Sequence, residues 1–240
     1  MKNFFTTRRM TMLAIFSALS FVLYILSFPL PFMFPGFLSV DFSEVPILLA
    51  GFMLGPISGA VTVLVRFGLK SAYGTNTMYV GETADLIFGL ILVLTSSIIY
   101  KYNRTKKGAV IGLAAGVTVT TGMAVIFNRF VLVPLYLQLF FGGNWGPLLD
   151  PLSALYRTEI TRQNFYAYYL LLAVLPFNLL RLTVCAVITF LLYKRLQRFI
   201  NGFGARLEGR VRQEHKEAAA GKPEAAEGSE PLNDGQRSEQ

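Results

Sequence analysis

Histidine and cysteine are nearly missing from these 240 residues, with one of each, His215 and Cys185. Cys185 lies inside an apolar run, so neither an intramolecular disulfide framework nor redox chemistry is expected. His215 stands among Glu214, Lys216 and Glu217. Metal centres built from clustered His and Cys lose their raw material, as does His-centred acid–base catalysis, so no metal and no cofactor is expected. A G-x-x-x-x-G-K-[ST] phosphate loop is also missing, which excludes ATP hydrolysis by that route. Charge is scarce, at 15% of residues, where soluble domains carry about a quarter. Before residue 200 the acids are only Asp41, Glu44, Glu82, Asp85, Asp150 and Glu159, set between long apolar runs. With 53% hydrophobic residues, the chain reads as an all-α integral membrane protein. The membrane domain is expected over residues 1–200. The stretch 201–240, rich in Glu, Ala, Gly and Lys, is expected to be a disordered cytoplasmic tail.

A helix crossing the ~30 Å hydrocarbon layer needs roughly 20 mostly apolar residues. Apolar runs cover about 10–28, 45–67, 86–100, 109–140 and 166–193. The first follows Lys2, Arg8 and Arg9 but ends in Phe28-Pro29-Leu30-Pro31 rather than a small-residue cleavage site, so it is expected to be an uncleaved span. Five spans conflict with the charges. Lys and Arg collect on the cytoplasmic side of short loops, and three clusters obey that rule only if the number of spans is six: the N-terminus, Lys101/Arg104/Lys106/Lys107, and Lys194/Arg195/Arg198. Splitting the 45–67 run at Gly55-Pro56, a helix-breaking pair, supplies the sixth. The expectation is a six-helix bundle in the plasma membrane with both termini cytoplasmic and outer loops at 29–43, 71–81 and 141–164.

In that topology the polar groups are lopsided, and groups at membrane depth face a cavity or a partner. Asp41 and Glu44 open the second helix, Arg66 and Lys70 close the third, and Glu82 and Asp85 open the fourth, all toward the outside. Asn128 and Arg129 lie in the fifth span, Asn178 and Arg181 in the sixth. Counting from Phe140 and Phe165, both asparagines fall roughly 18–20 Å from the outer ends, so two carboxamides at matched depth are expected to converge on one ligand. Pro134 and Pro176 lie just outward of them and free backbone groups there. The picture is a cup opening outward under an aromatic loop. On the first helix Ala14 and Ala18 form a small-xxx-small face suited to close helix approach. Membrane enzymes such as lipid phosphatases or prenyltransferases need clustered Asp/His or Asp-rich motifs, and residues 1–200 hold none, so the chain is not expected to be an enzyme. No nucleic-acid partner is expected either.

Five strings carry more than composition: Asp41-Phe42-Ser43-Glu44-Val45-Pro46, residues 51–59 (GFMLGPISG), Gly81-Glu82, Asn128-Arg129-Phe130 leading to Pro134-Leu135-Tyr136, and Pro176-Phe177-Asn178-Leu179-Leu180-Arg181. In this order, across about residues 10–198, they resemble the riboflavin-specific substrate-binding (S) component of energy-coupling factor (ECF) vitamin transporters. The resemblance implies a six-helix subunit that captures riboflavin from outside and has no energy source of its own. Its implied partners are a transmembrane coupling (T) subunit and two ATPases. The implied ligand contacts are Asn128, Asn178, Arg181, Glu82, Asp41, Leu38 and Tyr136, and the implied coupling-subunit contacts are Ala14 and Ala18. Family members commonly carry Lys where this chain has Arg181. FMN, pantothenate, folate or thiamine are the alternative cargoes. A carboxamide presents both a donor and an acceptor, which suits the alternating uracil-like edge of an isoalloxazine, and the flat tricycle needs apolar and aromatic walls.

Overall fold

The computed structural model describes residues 6–30, 34, 38–75 and 77–195. The expected tail, 201–240, and much of the aromatic loop (31–33 and 35–37) lie outside the described residues. Among these there are seven helices of eleven residues or more: α1 (Thr7–Ile25), α2 (Glu44–Leu54), α3 (Pro56–Tyr73), α4 (Val80–Tyr102), α5 (Lys106–Leu139), α6 (Gly146–Tyr156) and α7 (Phe165–Arg195). Four of them, α1, α4, α5 and α7, are long and apolar enough to cross a membrane.

The 45–67 run divides where expected. Gly55 has φ +99°, a conformation open to glycine and costly for other residues. Pro56 then starts α3, at the first helical position, where its missing N–H leaves nothing unpaired. The two arms fold closely: a Cβ on Gly59 would lie 2.9 Å from the Gly51 Cα. Every residue of α2 from Glu44 to Phe52 is buried. It is therefore the axial helix of the bundle, apolar on all sides, and at eleven residues spans only about 16 Å. Its neighbour α1 is different. Only Leu13, Phe16, Ser17 and Ser20 are buried, a stripe at helical spacing, while Ile15, Leu19 and Val22 point outward. Between α4 and α5 small residues permit close approach: a Cβ on Gly112 would lie 2.6 Å from the Ser96 carbonyl oxygen, and one on Gly116 would clash with Ser96 Oγ.

The six-helix expectation needs one correction. The stretch 141–164, read as a loop, contains α6. Gly146-Pro147 starts it and Leu148 and Leu152, four apart, bury its inner face against Val133, Ile160 and Phe165. Trp145 meets the Phe165 ring edge-on at 5.5 Å. A second addition is a two-residue antiparallel pairing, β1 (Phe28–Pro29) with β2 (Ser39–Val40), which sets the end of α1 beside the approach to α2. Both prolines expected to free backbone groups follow a change in helix type. A π-helical turn over Asn128–Leu132 precedes Pro134, and another over Tyr169–Val174 precedes Pro176. Such turns absorb the lost hydrogen bond of the proline and are frequent at functional sites.

Consecutive antiparallel helices give the bundle two unlike ends. One gathers the start of α1, the Gly55 corner and the α4–α5 turn, with Arg9 bonded to the Leu54 carbonyl and Ser58 Oγ. The other gathers β1, β2, residues 74, 75 and 77–79, α6 and the acidic side chains Asp41, Glu44, Glu82 and Asp85.

Candidate functional site

The Asp-Phe-Ser-Glu segment entering α2 is held by its own side chains. Asp41 Oδ1 accepts from the Ser43 amide at 2.8 Å, Ser20 Oγ donates to the Ser43 carbonyl at 2.6 Å, and Arg66 Nη1 donates to Ser43 Oγ at 2.7 Å. Six charges then close into one network. Arg66 pairs with Glu44 at 3.0 Å and Asp85 at 3.8 Å, and Lys70 pairs with Asp85 at 2.5 Å. Arg181 reaches Asp41 at 3.0 Å and both Glu44 and Asp85 at 3.7 Å. Three carboxylates meet three cations, so the network is neutral. Arg66 and Lys70 are 1% and 4% exposed, so both charges are enclosed by protein. Two atoms stay uncommitted within it: Glu44 Oε2 and Arg181 Nε are buried without a hydrogen-bond partner.

Glu82 and Asp85, three apart on α4, serve different neighbours. Asp85 belongs to the network, whereas Glu82 accepts from Thr77 Oγ1 at 2.6 Å. Thr77 in turn accepts from the Gly81 amide and lies beside the Tyr136 hydroxyl. Met78 and Tyr79, at φ 46° and 65°, adopt left-handed backbone before α4. That is an uncommon conformation for residues other than glycine, and Thr75 Oγ1 steadies it by accepting from the Thr77 and Tyr79 amides.

Asn128 is buried at the first position of its π-helical turn. Its Nδ2 donates to the Ala124 carbonyl at 2.8 Å, and its Oδ1 accepts from the Tyr169 hydroxyl at 2.9 Å. A carboxamide has two N–H donors and two acceptor lone pairs, so one of each is left over. Asn178, half-buried, donates in the same way to the Val174 carbonyl at 2.8 Å. The matched-depth expectation is corrected here. Asn128 meets α7 at Tyr169, nine residues before Asn178, a separation of about 13 Å by helical rise. The count from Phe140 and Phe165 took the two helices to end flush, and they are staggered.

Apolar walls join these groups. Phe34 and Phe177 meet edge-to-face at 5.2 Å, with Val40 in the same cluster. Leu38 packs against this cluster and also against the one under α6 that contains Leu152, Phe165 and Tyr169, so it links the first outer loop to the cap. Arg129 finds a ring rather than an acid, lying 4.6 Å from the Tyr166 centroid. Ala14 and Ala18 sit on the outward, exposed face of α1. Among the described residues no group of His, Cys, Asp and Glu is arranged to hold a metal ion.

Sequence reading missed Tyr169, one of three tyrosines within four residues, because nothing in the pattern marks which of them turns inward. Ser43 was in plain view within the quoted string, but its bond to Arg66 depends on how α2 and α3 fold about Gly55.

The comparisons agree with one another. A family model described as ECF transporter, substrate-specific component, matches residues 8–193. The chain is 32% identical over 198 residues to the riboflavin transporter RibU of Staphylococcus aureus (strain TCH60), covering 82% of this chain and 95% of that protein. To the riboflavin transporter FmnP of Bacillus subtilis (strain 168) it is 26% identical over 195 residues, covering 80% and 94%. A solved structure described as "Structure and mechanism of the S component of a bacterial ECF transporter" superposes with a TM-score of 0.61 at 31% identity, covering 80% of this chain and 96% of that one.

Proposed function

The chain belongs to the substrate-specific components of ECF transporters, a family of multi-pass transporter subunits rather than enzymes, and on that premise we propose that it is the riboflavin-binding subunit of such a transporter. Six helices, α1 to α5 and α7, cross the membrane, with both termini inside. The cationic end of the bundle, with Arg8, Arg9, Lys101 and Arg104, faces the cytoplasm as the positive-inside rule requires. Riboflavin enters at the opposite end, beneath the first outer loop and α6. Transport depends on a T subunit and two ATPases, and Ala14 and Ala18 present the face that the T subunit approaches.

The observation that carries this reading is the buried Asn128, whose one uncommitted N–H and one uncommitted lone pair lie beside the Tyr169 hydroxyl in a chain similar to riboflavin transporters over nearly their whole length. Such a donor–acceptor pair suits the flavin's pyrimidine edge. Since Asn178 sits at another level, the two amides serve different parts of one elongated ligand, ring and ribityl chain. Leu38 and the Phe34–Phe177 pair wall the tricycle. Arg181 and Asp41 form the floor, with Arg181 Nε as the remaining donor.

The test is a titration of purified protein followed by quenching of flavin fluorescence, with FMN, pantothenate, folate and thiamine as competitors. Riboflavin binds tightly, the unrelated vitamins do not compete, and Asn178→Ala weakens binding at least tenfold. A well-folded preparation that binds no flavin overturns the reading, and stronger competition by FMN or another vitamin reassigns the cargo.

A further inference from the structure

The cytoplasmic end carries a cavity that the vitamin site does not use. It has a volume of about 520 Å³ and lies where the Gly55 corner meets α1 and the end of α4. Among the described residues three cations line it, Arg9, Lys101 and Arg104, and no acidic residue does. Arg9 is anchored to Leu54 and Ser58, so its charge is fixed at the rim. Lys101 and Arg104 are exposed and make no ion pair among the described residues. The start of α3 and the ends of α2 and α4 all meet there, so their opposed helix dipoles offset one another and the three side chains supply the positive charge. The other walls are apolar: Ile57, Leu94 and Ile98 line the same cavity, and Ile57 and Ile98 are 63% and 42% exposed on the side of the bundle that meets lipid.

A soluble anion would use the cations and gain nothing from those walls. A phosphate diester bearing acyl chains uses both. We propose that this cavity binds the headgroup of an anionic phospholipid from the cytoplasmic leaflet, with phosphate among Arg9, Lys101 and Arg104 and the first acyl carbons along Ile57 and Ile98. Anionic lipids are enriched at that surface, and basic pockets between membrane helices are suited to their headgroups. The bound lipid would brace the α2–α3 corner against α1 and α4. This inference uses the orientation stated above but not the identity of the vitamin.

Thermal unfolding of the full chain in neutral detergent tests it, with added phosphatidylglycerol, phosphatidylcholine or inorganic phosphate. Phosphatidylglycerol raises the midpoint well above the other two, and the double variant Lys101→Gln/Arg104→Gln loses at least half of that rise. The double variant Lys106→Gln/Lys107→Gln removes the same charge from positions outside the cavity and keeps the rise. A cooperative unfolding transition without added lipid, at a midpoint close to that of the wild type, shows that each variant is folded. Equal shifts from phosphatidylglycerol and phosphatidylcholine overturn the proposal, and so does an equal loss in both double variants. An equal shift from inorganic phosphate shows a soluble-anion site and overturns the lipid assignment.

Discussion

Replacing Arg181 by methionine keeps most of the side-chain volume and removes one charge from a neutral set of six. Asp41 then loses its one ion pair, and Glu44 and Asp85 each lose a contact at 3.7 Å. Asp41 and Glu44 have side chains only 5% and 2% exposed, so water does little to compensate the surplus negative charge. Removing one partner of a buried pair costs about 3–5 kcal/mol. In a domain of this size each kcal/mol moves the unfolding midpoint by roughly 2–4 °C. Arg181→Met is therefore expected to lower the midpoint by roughly 6–20 °C. Asp41→Asn leaves a surplus positive charge and also destabilises. The double variant Asp41→Asn/Arg181→Met restores neutrality, with Glu44 and Asp85 facing Arg66 and Lys70. It is expected to be more stable than the sum of the single effects by about 1–3 kcal/mol, the range for residues sharing one network. Arg181→Lys falls between wild type and methionine, because an ammonium keeps the charge but lacks the planar fork that reaches three carboxylates. The assay is thermal unfolding in one detergent without riboflavin. Additivity within about 0.5 kcal/mol would refute the coupled network and return Arg181 to an isolated role.

Two further outcomes follow from the amide and from α1. Tyr169→Phe removes the hydroxyl that fixes Asn128 Oδ1. Loss of a buried hydrogen bond worth about 1 kcal/mol weakens riboflavin binding about fivefold in the fluorescence titration, and the same change in an Asn128→Ala background adds nothing. Ala14→Leu/Ala18→Leu fills the small-residue face of α1, abolishing riboflavin uptake by cells that supply the ATPase module while leaving the riboflavin Kd of the purified subunit within twofold.

How much of this was legible in the sequence depends on the kind of information a residue carries. Gly55-Pro56 is a local instruction, and the chain turns there, with φ +99° at the glycine. Pro134 and Pro176 are local too, since a missing N–H must be absorbed nearby, and a π-helical turn precedes each. The crowding of Asp41, Glu44, Arg66, Lys70, Glu82 and Asp85 at one end follows from helix alternation alone. Partner choice does not. Glu82 and Asp85 share a helix face, yet one bonds to Thr77 and the other to Lys70, Arg66 and Arg181, because the outcome depends on the rotation of α3 and α7 relative to α4. Helix α6 escaped notice for a related reason: eleven residues with prolines at positions 147 and 151 make a poor helix alone, and it is burial of Leu148 and Leu152 that holds it.

The amide levels connect these points to function. Had Asn128 and Asn178 faced each other, they would have shared a hydrogen bond or closed on a single small ring. Instead each has its Nδ2 committed to its own helix, at Ala124 and Val174, and Asn128 meets α7 at Tyr169, nine residues before Asn178. The two π-helical turns place these amides, since each asparagine lies at or just beyond one of them. Under the function proposed above, a site built this way would favour a ligand that is long, flat at one end and hydroxylated along the other over a compact vitamin able to reach only one amide. On that proposal the stagger between α5 and α7, which sets Asn128 against Tyr169 rather than Asn178, acts as a specificity element.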